Sequence, residues 1–160
     1  MAIRRQAARV ILIDDDGRVF LQQSKDPMDH TKVPWWELPG GGIHHGEASA
    51  DAAARELYEE TGIKDFEMGP VVWTRHTTFT FGGWHFDQDE QIHVAWLRGA
   101  AIYEPQALEM LEAAAFLEPR WWTVDELLAS DVQTWPSRMR DHLPTLVAGE
   151  LPDEPIDVGH

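Results

Sequence analysis

The chain has no cysteine among its 160 residues. Disulfide bridges, thiolate metal sites and a cysteine nucleophile are thereby excluded, and the composition suits a reducing cytosol. Cationic residues are scarce: 13 Lys and Arg stand against 28 Asp and Glu, for a formal charge of −15. A surface of that sign repels nucleic-acid backbones and anionic lipid, so neither a nucleic-acid polymer nor a membrane is expected as a partner. A small phosphorylated ligand would be repelled as well, unless a divalent cation neutralised it locally. No apolar run approaches the ~20 residues of a membrane span. The apolar stretch at 7–13 is interrupted by Arg9 and runs into Asp14, Asp15 and Asp16. It is too short and too soon acidic for a secretion signal, and a cytoplasmic location is expected. Internal repeats and long linkers are missing too. The expectation is one domain over 1–149, followed by an acidic, proline-containing tail over 150–160 lying loosely on the surface.

What is present is ordinary for a globular protein in bulk, with 43% hydrophobic and 26% charged residues. Residues 8–13 are apolar and β-branched, Asp16-Gly17 is a hairpin turn signal, and 19–23 return as a second strand. Residues 71–81 alternate in the strand manner. Gly82-Gly83 turns them, 84–86 begin a return, and 92–97 make another strand. Residues 87–90 (Asp-Gln-Asp-Glu) read as a solvated turn or as a source of a functional carboxylate. A helix is predicted over 105–116. Thr123 with Glu126 forms a capping box that should start a short helix at Val124. A last helix over 137–147 should break or restart at Pro144. Hairpins mixed with helices point to a mixed sheet between helical layers.

The most informative stretch is 41–63. A glycine-rich loop (Gly40, Gly41, Gly42) leads into a helix predicted over 48–61, with Gly62 at the position where left-handed backbone is wanted. Ala50, Ala53, Ala54 and Leu57 suit close packing on a sheet. Glu56, Glu59 and Glu60 stand at i, i+3 and i+4, so one helical face carries three carboxylates. Like charges at that spacing destabilise a bare helix, which points to a bound cation. A hard, oxygen-seeking ion fits: magnesium first, manganese as a substitute.

Gly41, Glu47, Arg55, Glu56, Leu57, Glu59, Glu60, Gly62 and Ile63 fill every specified position of the Nudix box, and the chain resembles the Nudix hydrolase family. The resemblance implies an α/β/α sandwich with a mixed β-sheet, the box forming a loop-helix-loop at one edge. It implies hydrolysis of a pyrophosphate linkage in a nucleoside diphosphate joined to another moiety, with a small nucleotide as substrate. Metal ligands would be Glu56, Glu59, Glu60 and the backbone carbonyl of Gly41. Glu47 would hold Arg55, and Arg55 would orient the carboxylates. The base that takes a proton from water is Glu59 or, outside the box, Glu90. Phe79 and Trp84 are candidates to stack on a nucleobase, and His44 to touch substrate. A homodimer is common among such proteins. Two other functions share the fold: a nucleotide-binding or sensor domain without catalysis, and an isopentenyl-diphosphate isomerase, disfavoured because it needs a cysteine.

Overall fold

A two-residue side-chain period decides how the sheet is built. The computed structural model describes residues 1–160. In β1 (Ile3–Ile13) Ala8, Val10 and Leu12 point to one face, and Arg5, Arg9, Ile11 and Ile13 to the other. β2 (Val19–Ser24) returns beside it, Ile13 opposite Val19. β3 (Trp35–Glu37) and β4 (Gly40–Gly42) are short, and β4 pairs with β1 through Ala8 and Gly41. β5 (Phe66–Phe81) and β6 (Trp84–Leu97) form one long antiparallel hairpin, and β6 runs parallel to β1 over its whole length. The two separate strands expected at 84–86 and 92–97 are thus one strand. Residues 87–90 are not a solvated turn, because charged side chains there pair with arginines on β1 and β5.

α1 (Ser49–Thr61) covers one face. Its inward side is Ala52, Ala53 and Leu57, packed on Ala8, Val10 and Leu12, rather than the expected Ala50 and Ala54. The helix is rotated so that Glu56 and Glu60 also turn inward. Gly62 ends it with φ 78°, and a Cβ there would meet the Glu104 carbonyl oxygen at 2.4 Å. Only glycine satisfies both conditions.

The helix expected over 105–116 is cut to α2 (Met110–Ala115), and Phe116 opens β7 (Phe116–Trp122) on β2. The strand wins because consecutive tryptophans then go to opposite faces: Trp121 meets Phe20 at 5.4 Å and Trp122 meets Trp36 at 5.2 Å. α3 (Val124–Ala129) starts where its capping box predicts, with reciprocal Thr123–Glu126 bonds of 2.9 and 3.1 Å. After β8 (Thr134–Trp135), α4 (Met139–Val147) runs through Pro144 without ending. Buried Met139, Leu143 and Leu146 anchor it on both sides of the proline, against Ile11, Ile13 and Leu127.

The segment 150–160 is not a loose arm. β9 (Ile156–Asp157) lies parallel to β5, Val158 N–H donates to the Thr74 carbonyl at 2.9 Å, and the Val158 side chain is fully buried. Strands follow the order β8-β3-β2-β1-β6-β5-β9, with β4 on β1 and β7 on β2. The result is a mixed, curled sheet between α1 and the α3–α4 layer, an α/β fold. No helix is long and apolar enough to cross a membrane.

Candidate active site

The sheet face opposite α1 changes character along its length. At one end Ile11, Ile13, Ile92, Val94 and Trp73 are sealed by α3 and α4. Toward the other end the same alternation presents Arg5, Arg9, Gln88, Glu90, Arg75 and Thr77. No helix of the α3–α4 layer covers that half, and it floors a pocket walled by α2 and rimmed by Trp35, Phe79, Phe81, Phe86 and Trp135. Burial on this floor is nearly complete: Gln88 is 0%, Glu90 2% and Arg75 6% exposed. Its charges interlock. Arg9 Nε donates to Glu90 Oε2 at 2.8 Å, Arg75 Nη1 to Glu90 Oε1 at 3.1 Å, and Arg9 Nη1 to the Leu38 carbonyl at 2.8 Å. Burial acts to raise the Glu90 carboxyl, but Arg9 and Arg75 outweigh it and hold the group below the usual glutamate value.

The Nudix-type box forms the adjoining wall. Arg55 is its hub. Nε and Nη2 grip both Glu47 oxygens at 2.9 and 3.0 Å, Nη2 reaches the Gly42 carbonyl at 2.9 Å, and Nη1 reaches Glu56 at 2.9 Å and Glu59 at 3.3 Å. The fork geometry of a guanidinium suits this multiple grip. It holds the Glu47 carboxyl down at about 2, Arg55 first and the His44 backbone N–H second.

Glu56 and Glu60 are brought together, and Glu112 of α2 joins them: one carboxylate oxygen from each lies within 4.8 Å of the others. Glu60 is almost wholly buried, its Oε2 accepting from Gln22 Nε2 at 2.9 Å and Gly40 N at 3.1 Å. Burial, then Glu112 and Glu56, push its carboxyl well above the ordinary value, and burial raises Glu56 and Glu112 also. Three crowded carboxylates offering only hard oxygen donors fit a divalent cation. Gly41 completes the cradle: a Cβ there would lie 2.6 Å from the Glu56 carboxyl carbon.

Other expected residues are placed differently. Glu59 stands outside the cluster, about one third of its side chain exposed, held by Arg55. Phe79 lines the pocket and stacks on Phe86 at 5.1 Å. Trp84 is 60% exposed and does not line it, nor does His44, which is exposed beside Glu47. Sequence reasoning missed Glu112, Arg5, Arg9 and Arg75. The arginines carried a readable signal, since Arg5 and Arg9 sit in phase with Ile11 and Ile13 on an otherwise buried strand face. Glu112 carried none, because its partners are fifty residues away on another element.

A family model, the NUDIX domain, matches residues 3–145. The chain belongs to that family. It is 37% identical over 67 residues to an RNA pyrophosphohydrolase of Bartonella clarridgeiae, a stretch covering 40% of this chain and 39% of that protein. The chain thus matches well under half the length of this curated relative. Among solved structures, a MutT protein from Methanosarcina mazei Go1 superposes with TM-score 0.62 at 17% identity, covering 92% of this chain and 96% of that one. The dihydroneopterin triphosphate pyrophosphohydrolase of E. coli gives 0.61 at 19% identity, covering 93% and 99%. At these identities the likeness is one of fold.

Proposed function

We propose that the protein is a divalent-metal-dependent pyrophosphohydrolase acting on a small nucleoside diphosphate derivative. The observation that carries this reading is the Glu56–Glu60–Glu112 cluster opening onto a pocket with an arginine floor and an aromatic rim. Glu56, Glu60 and Glu112, with the Gly41 backbone beside them, would hold magnesium, or manganese in its place. The bound ion would offset charge on the phosphates and lower the pKa of a water.

The chain's own residues divide the remaining work. Arg55 fixes Glu56 and is itself fixed by Glu47, so the pair positions the ligands. Glu90 has both oxygens engaged by buried guanidiniums and a lowered pKa. A general base works best with a pKa near the operating pH, so Glu90 is a positioning residue that organises the floor. Glu59, accessible and held loosely at 3.3 Å, is the proton acceptor. Phe79 belongs to the nucleobase side, whereas Trp84 and His44 lie too far out to share it.

The curated relative's name specifies RNA. A small substrate is favoured here because the formal charge of −15 repels a polyanion. The test is a panel of nucleoside triphosphates, nucleotide sugars and a 5′-triphosphorylated RNA oligomer, each with magnesium. Phosphate-bond cleavage of a free nucleotide, abolished by EDTA and by Glu56→Gln, is the expected result. Faster turnover of the RNA would overturn the small-substrate assignment. Tight nucleotide binding without turnover would instead favour the sensor reading.

A further inference from the structure

The metal cluster explains one end of the pocket and leaves the other unexplained. Beside the cluster and the aromatic rim the pocket is lined by three guanidiniums, Arg5, Arg9 and Arg75, with the carboxylates Glu90 and Glu37 among them and Glu109 at the α2 end. A protein so acidic overall has placed three arginines on a largely buried sheet face. Arg9 is held within the fold at two nitrogens, Nε by Glu90 and Nη1 by the Leu38 carbonyl. The other two are not. Arg75 is 94% buried by its side chain, yet its Nε has no acceptor, and only Nη1 reaches Glu90. Arg5 Nε donates to Gln88, and its terminal nitrogens meet no protein acceptor. A buried donor left unpaired is costly, and native folds rarely keep one without use. Burial lowers the pKa of both guanidiniums, and Arg9 lowers each further, a repulsion that an incoming anion would relieve.

The same two guanidiniums touch the aromatic rim. Arg5 stands 4.7 Å over the Phe86 ring, and Arg75 6.0 Å from the Trp135 ring. Phe86 stacks on Phe79, Phe79 meets Trp135 edge-on at 5.9 Å, and Trp135 stacks on Trp35 at 4.2 Å. The order of chemistry along the pocket is therefore carboxylates, guanidiniums, then rings.

We propose that Arg5, Arg75 and the Phe79–Phe86–Trp135 rim form a preformed subsite for a nucleoside monophosphate unit that binds without metal, the phosphate on the guanidiniums and the base on the rings. This deepens the pyrophosphohydrolase reading and rests on it for the choice of nucleotide. The phosphate next to the nucleoside then lies on the arginine floor and the outer phosphate at the carboxylate cluster. The nucleoside monophosphate is the half of the cleaved substrate that the protein retains, and it should act as a product inhibitor competing with substrate.

Calorimetric titration of the full chain in EDTA, with AMP and GMP as probes, tests this. Monophosphate binding is expected without metal, weakening as salt rises. Adenosine, guanosine and inorganic phosphate should each bind at least about tenfold more weakly, because each loses one half of the contacts. Arg75→Gln and Arg5→Gln should each weaken AMP binding about tenfold, and Phe79→Ala by a similar factor. Arg75→Gln strips a partner from buried Glu90, so if it fails to fold, Arg5→Gln at the pocket edge decides. AMP and GMP that do not bind without metal, or that bind Arg5→Gln and Phe79→Ala as they bind wild type, would overturn the subsite. Magnesium-dependent turnover alongside that negative result would leave the hydrolase reading standing. Arg5-dependent binding with no turnover of any nucleotide would keep the subsite and overturn the hydrolase reading.

Discussion

Replacing Glu60 by glutamine removes one charge from a site that, without a cation, gathers three carboxylates. Glutamine is nearly isosteric. Its amide oxygen can keep the bonds from Gln22 Nε2 and Gly40 N, while its NH2 replaces the second oxygen beside Glu56 and Glu112. Two carboxylates at the 4.8 Å that bounds the cluster repel by about 3 kcal/mol at an effective dielectric near 20. Partial protonation discounts this, because Glu60 is pushed well above its ordinary value by burial and then by Glu112 and Glu56. The net expectation is that metal-free Glu60→Gln is more stable than wild type by about 1–2 kcal/mol at neutral pH, a rise of roughly 2–8 °C in Tm. The pH dependence follows in sign. A carboxyl whose folded pKa is raised contributes most to stability below its unfolded value of 4.5, and that contribution is lost as pH rises through the folded value. Wild type in EDTA should therefore lose stability from pH 5 to pH 8, about, and Glu60→Gln should lose less. Magnesium should reverse the ranking, since a ligand at 100 times its Kd adds about 2.7 kcal/mol to the protein that binds it. Thermal and urea melts across pH, with EDTA or magnesium, supply the measurement. A Glu60→Gln protein less stable than wild type in EDTA at pH 8, about, or with an unchanged pH slope, would refute the reasoning.

Gly41→Ala should fold normally yet displace the Glu56 carboxylate, whose oxygens lie 2.7 Å from the added Cβ. Magnesium affinity measured by calorimetry should fall at least about tenfold, as it does when ligand geometry is disturbed. Arg55→Ala should lower kcat about 10–100-fold by releasing Glu56 and Glu59 from their hub. In the same variant the Glu47 carboxyl, held at about 2 by Arg55 and the His44 N–H, should titrate nearer its ordinary value by NMR. Glu90→Gln should destabilise by about 3–5 kcal/mol at neutral pH, because Arg9 and Arg75 are left buried without a counter-charge. Glu90 has a lowered folded pKa, so its contribution is present above its unfolded value of 4.5 and is lost as pH falls through the folded value. The gap between variant and wild type should narrow correspondingly in acid.

The parts of the fold and site legible in the sequence are those specified by neighbours along the chain. The box residues, the Gly62 stop and the Thr123–Glu126 cap all depend on contacts a few residues away. The Arg55–Glu47 grip spans only eight residues. What was hidden depends on distant partners. Glu90 looks like part of a polar turn until β1 and β5 supply arginines for it. Residues 105–116 look like one helix until β2 offers an edge that takes Phe116 into a strand, where Phe20 and Trp36 offer ring contacts to the tryptophans that follow. The tail looks solvated until Val158 finds its place in the core. Helical spacing alone also grouped Glu59 with Glu56 and Glu60, whereas Arg55, one turn earlier on the same helix, pairs with Glu59, and α2 brings Glu112 to the other two.

Manganese binding followed by electron paramagnetic resonance tests the metal assignment most directly. Wild type should take up the ion with magnesium competing for it, and Glu56→Gln, Glu60→Gln and Glu112→Gln should each weaken uptake at least about tenfold while remaining folded. Unchanged manganese uptake by all three folded variants would contradict a metal centre built on these carboxylates.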